Sequence, residues 1–217
     1  MKRQITISGY PGAGKSTNGK MLASRLGYDF FSAGHFRREA AKELNIDIDT
    51  LNQLENLRTK INGEPSVEML ERLGLDKKYH SALFKLLKYG DTDVLVDEKQ
   101  KNLALTKELI VVEGRLAYMH FPDAFKVFFY CEPEIAASRV FKDKRETEKS
   151  SASEAEVLER ITTSMQSDRQ RYITKYGDIG DCYSYSSEKF DLYIDTTNLT
   201  NEIIIAKILE AYVKSWD

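Results

Sequence analysis

With 217 residues, 41% of them hydrophobic, the chain is long enough for one domain with a sizeable core, or one domain carrying an inserted lobe. Lys and Arg number 32 against 34 Asp and Glu, for a net charge of -2; this excludes a globally basic binder of long nucleic acid. The two cysteines, Cys131 and Cys182, fit neither a disulfide framework nor a metal-binding spacing, and no apolar run reaches membrane-spanning length. The N-terminus enters a strand directly, with no leader segment, so a cytoplasmic monomer that handles small molecules, away from membranes, is expected.

Residues 3–8 alternate like a strand, and residues 18–26 read as a helix with Met21, Leu22 and Leu26 on one face. Between them lies Gly9-Tyr10-Pro11-Gly12-Ala13-Gly14-Lys15-Ser16-Thr17, a complete G-x-x-x-x-G-K-[ST] phosphate loop in its proper setting of strand, turn and helix. Such a loop turns consecutive backbone N–H groups inward around a polyphosphate, and the helix N-terminus adds its positive end. Lys15 is expected at the β- and γ-phosphates of ATP, the Ser16 hydroxyl on Mg²⁺, and Thr17 near the α-phosphate.

Residues 28–32 form a short aromatic strand after the helix stop at Gly27. Ser32, Ala33 and Gly34 lead into a helix that reaches about Leu44, with Asn45 to close it. Arg37 and Arg38 sit at the start of this helix, where positive charge opposes the dipole, and a nearby anion would offset that cost. Either they contact an acceptor phosphate or they form a solvated charge pair. Residues 46–57 read as a helix capped by Asp47 or Asp49. Residues 58–93 read as an inserted, mostly helical segment, with helices over 67–73 and 77–88 and a turn at 90–93. His80 there reads as a surface or packing residue.

A helix over 96–107 carries Gln100 and feeds the fully apolar run 109–112, as expected for a parallel sheet covered on both faces. That strand ends in Glu113-Gly114-Arg115. Ligands bind beyond the carboxyl ends of such strands, which points Glu113 toward a magnesium water and Arg115 toward an acceptor phosphate. Residues 124–131 form the next strand, and Glu132-Pro133-Glu134 opens a helix that carries Arg139. The charged run that follows, within 141–153, reads either as a solvated loop or as a mobile lid. A long helix over 153–176, opened by Ser153 and Glu156 as a capping box, puts Asp168 and Arg171 on one face. Those two read either as a surface ion pair or as a carboxylate for a base amino group beside an arginine for a phosphate. Residues 190–197 form a last strand, and Thr200 or Asn201 caps a final helix with Ile203, Ile204, Ile208 and Tyr212 as its buried stripe. Alternating strands and helices give an α/β, three-layer fold of the P-loop NTPase type, with a parallel sheet and right-handed crossovers.

The phosphate loop, Ser32-Ala33-Gly34 followed by Arg38, Glu113-Gly114-Arg115, and Asp168 through Tyr172 occur in this order, and the set resembles the cytidylate kinases, most of all their short archaeal-like branch. The resemblance covers nearly the whole chain except 58–93. It implies transfer of a phosphoryl group from ATP, with Mg²⁺, to CMP or dCMP in a single kinase domain over 1–217. The lobe that binds the nucleoside monophosphate would span 34–96, with 58–93 inserted, and a lid would span 141–153. It implies an acceptor site built on Ala33, Arg37, Arg38, Gln100, Gly114, Arg115, Asp168 and Arg171, with Asp168 reading the cytosine amino edge. Arg139 would be a catalytic arginine at the base of the lid, beside Lys15, and Thr197 would lie near the ATP base. Ser164 stands where the resemblance expects a further arginine, a place Arg160 or a lid lysine would have to fill. Two other readings stay open: a kinase of another small acceptor on the same fold, and a nucleotide-binding regulator without turnover.

Overall fold

The computed structural model describes residues 3–58, 61, 66–143 and 153–216. Most of the region read as a lid, 144–152, therefore lies outside the described residues, as do Gly63 and Pro65 of the inserted segment. The described chain divides into two compact units: one takes 3–34, 99–143 and 153–216, the other 35–58, 61 and 66–98.

The first unit begins with β1 (Gln4–Gly9), α1 (Lys15–Leu26) and β2 (Asp29–Ser32). The next helix, α2 (Ala33–Glu43), starts in the first unit and continues into the second, which adds α3 (Ile48–Arg58), α4 (Val67–Arg72), a short 3₁₀ turn at Lys77–Tyr79 and α5 (His80–Tyr89). Helix α6 (Thr92–Thr106) returns the chain to the first unit, followed by β3 (Ile110–Glu113), α7 (Ala117–His120), β4 (Phe125–Tyr130), α8 (Pro133–Lys142), α9 (Glu154–Tyr176), β5 (Leu192–Asp195) and α10 (Asn201–Lys214).

The five strands form one all-parallel sheet in the order β2-β3-β1-β4-β5. Alternate residues face opposite sides. Ile5, Ile7, Val127, Phe129 and Ile194 pack with α1 and α10 on one face. On the other, Ile110 and Val112 pack with α7 and Leu103 of α6, and Phe128 packs with Tyr172 of α9. From β1 the chain moves out past β3 to β2, and from β3 it moves back past β1 to β4. The sheet order therefore reverses between β1 and β3, and an open α/β sheet binds ligands beyond the carboxyl ends at that crevice.

Local chemistry explains where the sequence reading and the structure part. Helix α1 starts at Lys15, three residues before its apolar pattern, because Gly14 takes the left-handed conformation (φ 79°) and turns the chain straight into the helix. Helix α6 starts at Thr92, four residues earlier than its apolar pattern suggests, because the Asp91 carboxylate accepts from the Asp93 and Val94 N–H groups and caps it. Asp47, not Asp49, caps α3, accepting from Thr50 N at 2.7 Å. In α10 the buried stripe is Ile204, Ile205, Ile208 and Tyr212, while Ile203 is 44% exposed. Three of the four residues read as the stripe are buried, and Ile205 takes the place of Ile203 because the helix presents positions i, i+1, i+4 and i+8 to the sheet. Helix α7, four residues long, has no sequence signal strong enough to find.

In the second unit, α2, α3, α4 and α5 share a core of Ala41, Leu44, Leu51, Leu54, Leu83 and Leu86. His80 is a packing residue, with its Nε2 3.1 Å from the Leu75 carbonyl. Asn45 closes α2 with φ 57°, a left-handed turn that asparagine tolerates.

Ser153 caps α9 by accepting from Glu156 N at 3.2 Å. Ser153→Ala is expected to lower stability by about 1 kcal/mol, measured by denaturant unfolding. Both cysteines are fully buried. Burial pushes the Cys182 thiol up to about 12, and burial also raises Cys131. At pH 8 the Cys182 side chain is therefore held as the unreactive thiol. A thiol reagent is expected to label neither cysteine in the folded chain and both in denaturant. The sign follows from linkage: the unfolded thiol ionises near 8.5, so this contribution to stability is complete below that pH and is lost as pH climbs toward 12.

Candidate active site

The loop between β1 and α1 is shaped by close backbone approaches. Gly9 has φ 120°, and a Cβ there would lie 2.0 Å from the Phe129 carbonyl oxygen. Only a residue without a side chain fits. Gly14 precedes α1 with no side-chain cap, and the first turn of α1 holds no acidic residue. The N-terminal N–H groups of this helix thus carry no acidic residue of the helix's own first turn. Lys15 folds over the loop, its Nζ donating to the Gly9 and Tyr10 carbonyls at 3.0 and 2.6 Å.

Three strand ends converge beside the loop. Register pairs Ile7 of β1 and Ser32 of β2 with Glu113 of β3. The Ser16 hydroxyl donates to Glu113 Oε1 at 2.8 Å, and the Ser32 hydroxyl donates to the same oxygen. Glu113 is buried. A hydroxyl beside a buried carboxylate is a pair of hard oxygen donors. That fits Mg²⁺, which takes one or two protein ligands and fills its other positions with water and phosphate.

The next residue, Gly114, is hemmed in. A Cβ there would lie 2.8 Å from the Ala33 Cβ and 3.7 Å from Gln100 Oε1. Gln100 is 1% exposed, and its Oε1 accepts no hydrogen bond among the described residues. Ala33, Gln100 and Gly114 thus come together in the first unit, as a group that sequence spacing alone could not assemble.

Arg115 turns the other way. Its Nη1 lies 2.7 Å from Asp168 Oδ2. Asp168, 2% exposed on α9, also accepts from Arg171 Nη2 at 3.0 Å, the Tyr183 hydroxyl at 3.1 Å and the Ser164 hydroxyl at 3.4 Å. Burial works most strongly against the charge on Arg115, but Asp168 beside it, together with Tyr183, Tyr172 and Cys182, outweighs burial and holds the guanidinium firmly protonated. Ser164, where the resemblance expects an arginine, is thus one of the donors to this carboxylate.

Two arginines have other partners than those read from sequence. Arg37, a candidate for the acceptor phosphate, is 7% exposed and bonds Asp93 Oδ1 and Asn52 Oδ1, each at 2.9 Å, inside the second unit. A buried guanidinium needs a counter-charge, and Asp93 supplies the anion that the start of α2 called for. Arg38, its neighbour, is only half-buried. Arg139, read as a lid-base catalytic cation, donates to the Thr196 and Thr197 carbonyls at 2.8 and 3.0 Å and so braces the end of β5. That end is also tied to the phosphate loop, because the Thr196 hydroxyl lies 3.2 Å from the Ala13 carbonyl. Thr197 Oγ1 accepts from Glu132 N at 3.0 Å and lies 2.5 Å from Asp195 Oδ1.

Sequence reasoning leaves out Ser32 and Tyr183. Ser32 had a signal, a hydroxyl at a strand's carboxyl end beside the crevice. Tyr183 had none, since it lies in an irregular segment with no periodicity.

The model of the cytidylate kinase-like family matches residues 4–198. The chain belongs to that family. A cytidylate kinase of Sulfolobus acidocaldarius is 30% identical over 95% of this chain and 92% of its own length, and one of Sulfurisphaera tokodaii is 28% identical over 96% and 94%. An S-adenosylmethionine-dependent nucleotide dehydratase of Lacinutrix mariniflava is 27% identical over 99% of this chain, which spans 37% of that longer protein. Among solved structures, the shikimate kinase of Acinetobacter baumannii aligns with a TM-score of 0.51 at 17% identity, over 99% of this chain and 95% of its own. That likeness is one of fold. Membership in the cytidylate kinase-like family makes the chain a P-loop phosphotransferase of the nucleotide-kinase type. No helix among the described residues is long and apolar enough to cross a membrane.

Proposed function

We propose that the chain transfers the γ-phosphoryl group of ATP to the phosphate of CMP or dCMP, giving ADP and CDP or dCDP. The observation that carries this reading is the short run 113–115. Glu113 bonds the phosphate-loop Ser16, and two residues later Arg115 joins the Asp168–Arg171 cluster. Donor-phosphate and guanidinium groups are thus linked through one strand end of the first unit.

An acceptor phosphate oxygen forms the new bond to the γ-phosphorus, and the bond from that phosphorus to the bridging oxygen of ADP breaks. No side-chain nucleophile takes part. The protein positions the two nucleotides and spreads the charge. Lys15 trades two neutral carbonyls for phosphate oxygens, and charge-assisted bonds are roughly twice as strong. Arg115 and Arg171 hold the acceptor phosphate. Arg37 stays with Asp93 and supports α2. Ala33, Gly114 and Gln100 hold the acceptor's nucleoside, and the buried Gln100 oxygen accepts from its base. Ser16 and Glu113 hold Mg²⁺, which when bound neutralises charge on the phosphate oxygens. Thr197 and Arg139 shape the ATP-base end. In this assignment 34–96 forms the acceptor lobe and 141–153 the lid.

A second reading keeps the reaction and takes another nucleoside monophosphate or a small metabolite as the acceptor, since the fold does not set the acceptor. ADP release with Mg²⁺ and ATP should be measured against CMP, dCMP, UMP, AMP and shikimate. CMP or dCMP should give the highest kcat/KM. Turnover with shikimate or AMP alone would overturn the reading, and tight ATP binding with no acceptor-dependent turnover would make the chain a nucleotide-binding regulator.

A further inference from the structure

Asp168 is expected from the family resemblance to read the acceptor's base. In the structure its carboxylate has little capacity left to do so. Oδ2 faces Arg115, Tyr183 and Ser164, and Oδ1 faces Arg171. A carboxylate offers about four lone-pair sites, and four donors are in place. Such a group aims its neighbours rather than a ligand.

Tyr183 is the one of these donors that reaches Asp168 from outside helix α9 and the run 113–115. It is 8% exposed, and burial keeps its phenol protonated well above the ordinary range, so it donates throughout the working pH range. Its ring also stands edge-on to Tyr10 of the phosphate loop, with centroids 5.8 Å apart and planes at 84°. Edge-to-face pairs of this kind have a preferred geometry, so movement of one ring is felt by the other. Tyr10 is fixed further by an edge contact with Tyr130 at 5.0 Å and by its N–H donating to the Phe129 carbonyl at 2.9 Å.

We propose that Tyr183 is a positioning residue: through Asp168 it sets the aim of the Arg115 and Arg171 guanidiniums, and through Tyr10 it ties that aim to the phosphate loop. The functional consequence rests on the kinase reading above; the aim of the guanidiniums does not. Removing the hydroxyl while keeping the ring leaves the Tyr10 contact and cuts the link to Asp168.

The test uses the full chain carrying Tyr183→Phe, with two readouts. The first is the ¹⁵N spectrum of the arginine side chains. In the unaltered chain the Arg115 and Arg171 guanidiniums should show slow rotation, and in Tyr183→Phe that rotation should speed up while Arg37 does not change. The second is steady-state kinetics. The kcat/KM for the acceptor should fall roughly tenfold, with the KM for ATP held within about twofold, since one bond to a charged group is at stake. A residue that only supports packing would lower the unfolding temperature without this split between acceptor and ATP. Unchanged guanidinium signals, or equal losses for both nucleotides, would overturn the proposal. If the unaltered chain turns over no monophosphate, the kinase reading fails and the arginine spectrum alone decides the positioning role. If Tyr183→Phe does not fold, 3-fluorotyrosine at position 183 replaces it. That side chain keeps ring and hydroxyl but makes a stronger donor, so the Arg115 and Arg171 resonances should shift, and unmoved resonances would overturn the proposal.

Discussion

Lys15→Ala is expected to lower kcat for phosphoryl transfer by at least about 10²–10³-fold, the cost of removing one preorganised electrostatic donor. The fold should survive. Lys15 is half-buried, and its ammonium donates to the Gly9 and Tyr10 carbonyls of its own loop. The loop's conformation comes from elsewhere: Gly9 pressed against Phe129, Gly14 in the left-handed region, and Thr196 against Ala13. Loss of the ammonium therefore removes charge from the transition state more than it removes structure. Circular dichroism and the unfolding midpoint should match the unaltered chain within the few degrees expected of a loop substitution. A Lys15→Ala chain with near-normal turnover would remove Lys15 from the mechanism.

Asp168→Ala carries the largest expected stability effect. It removes the carboxylate that two guanidiniums share, one of them on a side chain only 11% exposed. Breaking a buried ion pair from one side costs about 3–5 kcal/mol, because the remaining charge is stranded. Arg115, 28% exposed, retains some water, which puts the loss at the lower end of that range. For a chain of this size each kcal/mol moves Tm by about 2–4 °C, so Tm should fall by roughly 10 °C. Asp168→Asn keeps the shape and part of the hydrogen bonding and should fall less. A calorimetric Tm for Asp168→Ala within about 2 °C of the unaltered chain would show that neither arginine depends on this carboxylate. The two experiments separate the two halves of the site: Lys15 should change rate with little change in stability, and Asp168 should change both.

What could be read from the sequence was whatever local chemistry decides. The phosphate loop is dictated by glycine spacing within nine residues. The β3 strand is a bare apolar run whose end, Glu113-Gly114-Arg115, falls at the sheet's carboxyl edge. Helix caps such as Ser153 and Thr200 are short-range hydrogen bonds. Long-range pairing was hidden. The partner of Arg37 is Asp93, 56 residues on, and nothing near Arg37 marks it. Asp168 reads either as one end of an i, i+3 surface pair or as a carboxylate for a base amino group, and nothing near it in sequence marks it as the buried meeting point of three segments of the chain. The resemblance implies Arg139 as a catalytic arginine at the lid's base, and in the structure its guanidinium donates to carbonyls 57 and 58 residues away. In each case a charge at least partly removed from water was satisfied by whatever the fold brought near, and topology rather than spacing chose the partner.

Following the label in [γ-³²P]ATP tests the central claim most directly. Incubated with CMP and Mg²⁺, the unaltered chain should place the label in the β-phosphate of CDP, at a rate that rises and saturates with CMP and collapses in Lys15→Ala. Label appearing only as inorganic phosphate, at a rate indifferent to any monophosphate added, would contradict the account.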